Sequence, residues 1–178
     1  MGRRYHAVMM KVAFVCVLIL LARCAGGVRL KTADDVMKKT MIEADPLENS
    51  TRITGPEIST GNLSSNLTRL LVYSKTGFSS SYELYVHYFG PDWFFFDRAY
   101  DTHGRRLIFK RIDQDADLLG NYESFSVKLS RGQLDEASKL GLSIKAGGDF
   151  SSTMVYMPAF YVQGFLEKVD IWESSMRK

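Results

Sequence analysis

Tyr82-Glu83-Leu84-Tyr85-Val86-His87-Tyr88-Phe89 decides how the chain is read. Tyr82, Leu84, Val86 and Tyr88 take every second place, with Glu83, Tyr85 and His87 between them. A period of two predicts an extended strand with one buried face and one wetter face, since a helix needs apolar residues three or four apart. Gly90-Pro91-Asp92 ends the strand, because Pro offers no N–H to a ladder and this tripeptide is turn chemistry.

Working toward the C-terminus, Trp93–Tyr100 is the most strand-prone run, and its aromatics must serve both sides of a sheet. Asp101-Thr102-His103-Gly104 predicts a turn, and Arg106–Ile112 the returning partner strand. Tyr122–Leu129 alternates again. Ser130 and Gln133 are the two ends of a capping box, Leu134, Ala137, Ser138 and Leu140 follow at helical spacing, and Gly141 supplies the stop. Leu142–Ala146 and Thr153–Met157 predict a hairpin around Gly147-Gly148-Asp149. Pro158 suits the first turn of a last helix, whose stripe is Ala159, Val162, Leu166 and Val169. On the other side, Thr68–Ser74 reads as a strand, although Leu67, Leu70 and Leu71 also have helical spacing. The expected fold class is α+β, an antiparallel sheet of about 5–7 strands with two late helices packed on one face.

Val28 to Asn62 is polar, holds Pro46 and Pro56, and is poor in aromatics. Within it Thr32 to Glu43 has helix signals: Thr32 as a cap, Asp34 and Asp35 for the first turn, and Val36, Met37, Thr40 and Met41 on one face. That stripe is thin, so the expectation is a polar tether over residues 28–62 with only fleeting helix, followed by a globular domain over 63–178.

The chain has 178 residues, 46% hydrophobic and 24% charged, which excludes wholesale disorder, collagen and coiled coil. Its net charge of +3 misleads until the chain is divided. Arg3, Arg4, Lys11 and Arg23 precede Val28, leaving 19 basic against 20 acidic side chains beyond it. A nucleic-acid partner is therefore not expected, because the basic excess lies in the leader. Cys16 and Cys24 lie there too, so a disulfide scaffold is excluded for the domain.

In that leader, residues 12–22 are uninterrupted apolar or small side chains between Lys11 and Arg23. As a helix they reach about 16 Å, roughly half a bilayer core, too short for a span. A basic start, a short apolar run and small residues after it predict a signal peptide over residues 1–27, begun at Met1 or Met10. Leu21-Ala22-Arg23-Cys24 resembles a degenerate bacterial lipobox, with Arg23 where a small residue is expected. The resemblance implies a lipoprotein-type export signal and lipidation at Cys24, hence the periplasm or the outer membrane. Ordinary cleavage near Ala25 or Val28 is the alternative and would give a secreted protein. No transmembrane span is expected in the mature chain, so the membrane is a partner only through the lipid.

The chemical candidates are few. Asp113, Asp115 and Asp117 stand at alternate positions, as in a calcium loop, but Leu118 replaces its Gly and Ser124 its bidentate Glu. A hairpin loop with solvated acids is the preferred reading, and no cofactor is expected. Tyr85, His87, Phe94 and Phe96 are the candidate ligand surface, as stacking or packing aromatics. Asp101 and His103 could orient an imidazole for acid–base work. Asn49, Asn62 and Asn66 begin glycosylation sequons, which matter only in a eukaryotic secreted protein. The functional expectation is an exported envelope protein with a non-catalytic domain that binds an envelope protein, peptide or glycan. The alternative is a secreted hydrolase or calcium-dependent protein using His103 or the Asp113–Asp117 acids.

Overall fold

The computed structural model describes residues 30–60, 66–76, 78–118, 120–149 and 151–176. Along the chain run α1 (Ala33–Lys39), β1 (Met41–Asp45), β2 (Ser50–Thr54), β3 (Ile58–Thr60), β4 (Asn66–Lys75), β5 (Ser81–Gly90) and β6 (Arg98–Tyr100). Then come β7 (Ile108–Asp117), β8 (Gly120–Leu129), α2 (Arg131–Leu140), β9 (Leu142–Gly147), β10 (Ser152–Met157) and α3 (Ala159–Met176). A seven-stranded antiparallel sheet has the order β1-β2-β4-β5-β8-β7, with β3 also on β4, and a second sheet has the order β10-β9-β6. The class is α+β, with two late helices as expected. Among the described residues no helix is long and apolar enough to cross a membrane.

The period of two in β5 sets the register. Tyr82 lies between Val72 and Leu129, Leu84 between Leu70 and Val127, and Val86 between Thr68 and Phe125. These residues form one buried layer, because a slip of one place would turn every one of them to the other face. Helices close that layer. Val36 of α1, Leu134 and Ala137 of α2, and Val162, Phe165 and Val169 of α3 lie in the same core cluster, beside Ile144 and Val155 of the small sheet. Arg131 joins α2 to α3 with 2.6 and 3.0 Å hydrogen bonds to both oxygens of Asp170. The Ser130–Gln133 capping box forms as the sequence predicts, and Gly141 ends α2 at φ +86°.

The segment expected as a tether is built into the fold. Residues 33–60 form α1 and three strands of the large sheet, and Val36 and Ile53 are fully buried. The polar composition misled because β1 is an edge strand exposed at all five positions, and edges carry polar side chains. The thin stripe of α1 suffices because the helix packs against α3. Gly164 there has no room for a Cβ beside the carbonyl oxygen of Ala33. Thr32 and Asp35 close a capping box at its start. At its end the Thr40 hydroxyl donates to the Val36 carbonyl oxygen at 2.8 Å, and the chain turns into β1 instead of continuing to Glu43. Leu63, the expected domain start, lies outside the described residues.

Two strand boundaries also differ. Trp93–Asp97 is not a strand; only Arg98–Tyr100 is. Glu123, 2% exposed, accepts the backbone N–H groups of Phe94, Phe95 and Phe96 at 2.6, 3.1 and 3.0 Å. Three consecutive amides aimed at one carboxylate cannot also serve a ladder, and Phe95 takes φ +53° to complete the curl. Second, β6 pairs with β9, and the segment after the turn pairs with β8, leaving one bridge between Tyr100 and Arg106.

Removing residues 30–60 as if they were a linker should abolish cooperative unfolding, since Val36 and Ile53 would leave the core; circular dichroism melting of the shortened chain checks this. Glu123→Ala should cost about 3 kcal/mol or more, by stranding several buried N–H donors, and Glu123→Gln about half as much. Urea unfolding midpoints measure both, and equal stability of Glu123→Ala and the parent would contradict the role given to this carboxylate.

Candidate binding surface on the outer sheet face

The side chains that β5 does not bury, Glu83, Tyr85, His87 and Phe89, point away from the helices. Register assigns their neighbours. Tyr85 lies between Arg69 of β4 and Ser126 of β8, and His87 between Leu67 and Ser124. Lys110 of β7 continues the Tyr85 row beyond Ser126, and Asp113 continues the His87 row beyond Ser124.

These rows are linked by contacts. The Arg69 guanidinium sits 4.9 Å from the Tyr85 ring centroid and 3.0 Å from a Glu57 carboxylate oxygen. Arg52 repeats the arrangement over Tyr73 at 5.7 Å. His87 Nδ1 and Ser124 Oγ share a 2.8 Å hydrogen bond. The imidazole stacks on Tyr122 at 5.7 Å, and Phe89 packs on the same ring at 4.9 Å. Tyr122 donates its hydroxyl proton to Asp117 at 2.9 Å, and that bond, with burial second, holds its acidity below that of an ordinary phenol. The result is a half-buried row of rings and guanidinium groups held in fixed positions.

Of the four residues proposed for a ligand surface, the structure brings together only two. Tyr85 and His87 share the outer face. Phe94 and Phe96 stack on each other at 5.0 Å and edge onto Tyr88, on the helix side of β5. Phe96 is 1% exposed and belongs to the core. The reason is the Glu123 curl, which takes the aromatic run out of the sheet and sends alternate rings inward. Trp93 and Phe95 stack on each other at 5.5 Å. Arg69, Tyr122, Ser124 and Ser126 were missing from the sequence-based set. Alternation over Tyr122–Leu129 places three of them on one face, but the pairing partner that brings them beside Tyr85 and His87 is invisible in a linear pattern.

Asp113, Asp115 and Asp117 do not lie in a loop. They sit at alternate positions along β7, an edge strand, and among the described residues no group of three or more His, Cys, Asp or Glu is placed to hold a metal ion. Asp113 and Asp115 accept the N–H of the following residue at 2.9 and 2.8 Å, and Asp117 accepts that of Gly120 at 3.2 Å. With the register shift that leaves Ile112 as an extra residue, these charges make β7 a poor template for another strand.

Asp101 does not orient His103 through its ring. Its carboxylate accepts the backbone N–H of His103 and of Arg105, both at 2.9 Å, and the Arg105 Nε–H at 2.6 Å. Burial opposes its ionisation, but those N–H groups and the guanidinium outweigh it and hold the carboxyl below the usual range. The turn accounts for all three residues. Asn66 is 1% exposed inside β4, so a glycan there is incompatible with the folded domain; Asn49 is exposed at a turn with φ +49°, and Asn62 lies outside the described residues.

His87 and Ser124 resemble half of a nucleophilic pair, but the chemistry stops there. Ser124 is 5% exposed, and β8 is hydrogen-bonded on both sides, to β5 and β7, leaving no backbone N–H pair for an oxyanion. The face presents rings, guanidinium edges and hydroxyls.

Carboxyl NMR should place the Asp101 midpoint below its ordinary 3.8. Because the folded value is depressed, its contribution to stability is present above the unfolded pKa and is lost as pH falls through the folded one. A midpoint at or above the ordinary value would return Asp101 to the acid–base candidates. No protein-family model matches the chain, and neither a curated protein nor a solved structure shows significant similarity to it.

Proposed function

We propose that the chain is an exported bacterial envelope protein, anchored by lipid on Cys24, whose domain binds an envelope protein or peptide and leaves it chemically unchanged. The observation that carries this reading is the leader: Lys11, the uninterrupted apolar run of residues 12–22, then Leu21-Ala22-Arg23-Cys24. A run of that length is too short to span a bilayer, so its use is as an export address.

The binding half of the proposal draws support from the outer sheet face. Tyr and Arg are enriched at protein interfaces: Tyr joins a large contact area to a polar edge with little rotamer entropy to lose, and Arg offers a planar fork of donors that also stacks on rings. Arg69 over Tyr85 and Arg52 over Tyr73 already occupy one face of each ring. That favours a peptide or protein surface, which meets ring edges and guanidinium groups, over a glycan, which needs an open ring face on which to stack. The His87–Ser124 pair adds a hydrogen-bonding centre to the same surface.

The intact mass of the natural protein in each cell fraction tests the reading. The expected species begins at an acylated Cys24 and sediments with membranes, and Cys24→Ser should release it to the soluble envelope fraction. A free amine at Ala25 or Val28 would keep export and remove the anchor. A full-length cytosolic chain still carrying Met1 or Met10 would overturn the proposal.

A further inference from the structure

Resting on the outer sheet face as a protein-binding surface, and needing no anchor, we propose that its occupant is a second copy of this chain, packed face to face about a two-fold axis. Charge points to that occupant. Arg69 pairs with Glu57, Arg52 lies opposite Glu43, and Lys128 lies opposite Glu83. These neighbours offset one another, so most of the face has no net sign that would select an oppositely charged partner. The exception is β7. There exposed Lys110, Asp113 and Asp115 follow on successive rows of the outer face, and none of the three makes an ion pair among the described residues. Opposite signs along one strand are self-complementary, because a copy related by a two-fold brings its acid to the cation and its cation to the acid. The same symmetry keeps the two acidic ends apart.

Register fixes where the axis runs. Set across the strands, midway between the Tyr85 row and the His87 row, it lays Tyr85 of each copy over His87 of the other and Lys110 over Asp113. One row further out, Lys128 meets the Tyr122 ring, a cation over an aromatic face. Ser124 and Ser126 are buried between the β5 rings and the β7 charges, so this strip is a shallow trough. Short hydroxyls there let two sheets approach to about 10 Å, the ordinary spacing of stacked sheets. Area suits a stable pair as well. Four ten-residue strands, with β2 and β3 along β4, make a plate of about 24 by 33 Å, or roughly 800 Å², which is what one partner gives to a standard interface. Stacking of this kind uses the face and not the edge, so the blunted β7 strand is no obstacle.

A photo-crosslinking benzophenone amino acid at Ile108, exposed on the outer face of the full chain, identifies the occupant in cells. The expected adduct has twice the chain mass and yields peptides of this chain alone, whereas the same label at Gln163, exposed on the helix side, gives none. Lys110→Glu and Asp113→Lys should each lower the adduct about fivefold or more, because like charges then meet across the axis. Combining the two in one chain, or co-expressing the two single variants, should restore it. A loss of folding in either variant would not be rescued by the other chain. An adduct with a different protein overturns self-pairing and keeps the protein-binding reading, whereas no adduct from position 108 overturns both. A homodimer adduct indifferent to the charge exchanges overturns the two-fold arrangement.

Discussion

A strand hydrogen-bonded on both sides can send only every second side chain into a core, and β5 is such a strand. Its inner set, Tyr82, Leu84, Val86 and Tyr88, meets β4, β8 and the helices. The outer set, Glu83, Tyr85, His87 and Phe89, has no choice of face once the inner set is placed. The candidate surface is thus a by-product of core geometry before it is anything else. What makes it more than that is the neighbours that register supplies: Arg69 for Tyr85, Ser124 for His87, and Tyr122 for both His87 and Phe89.

Much of this was legible because it is local. Alternation marked β5 and β8, a Ser and a Gln three apart marked the start of α2, and glycines marked the β9–β10 turn. These signals need only a few adjacent residues, so a linear pattern carries them. Trp93–Asp97 was illegible for the opposite reason. Its β-prone side chains argue for a strand, but Glu123, almost thirty residues away, collects three of its N–H groups and fixes a curl instead. Nothing in the run itself announces a distant carboxylate. Hence Phe94 and Phe96 were assigned to the ligand surface with Tyr85 and His87, although Phe96 lies in the core and Phe94 packs against it.

The amino-terminal third failed through a different confusion. Low hydrophobicity and two prolines are common to tethers and to edge strands, since both face water. Val36 and Ile53 were too few to raise a core signal alone, yet each is fully buried because a helix and a sheet were waiting for it. Isolated propensity underestimates an element whose stabilisation comes from packing against the rest of the chain. Thr32 and Asp35 did announce the helix correctly. The cap was readable, whereas the partner that made it worth forming was not.

That correction changes what an anchor would mean. A tether of thirty or more residues would leave the domain free to search a wide volume and to turn either face to the membrane, and surface chemistry alone would select its partner. With Leu30 packed against the core and residues 33–60 built into α1 and three strands, this segment no longer supplies that freedom. The acids of β7 gain a reading that no metal site could give them. They blunt an edge strand against pairing with another chain. Sequence patterns that look like ligand sets are then better explained by where a strand sits in its sheet.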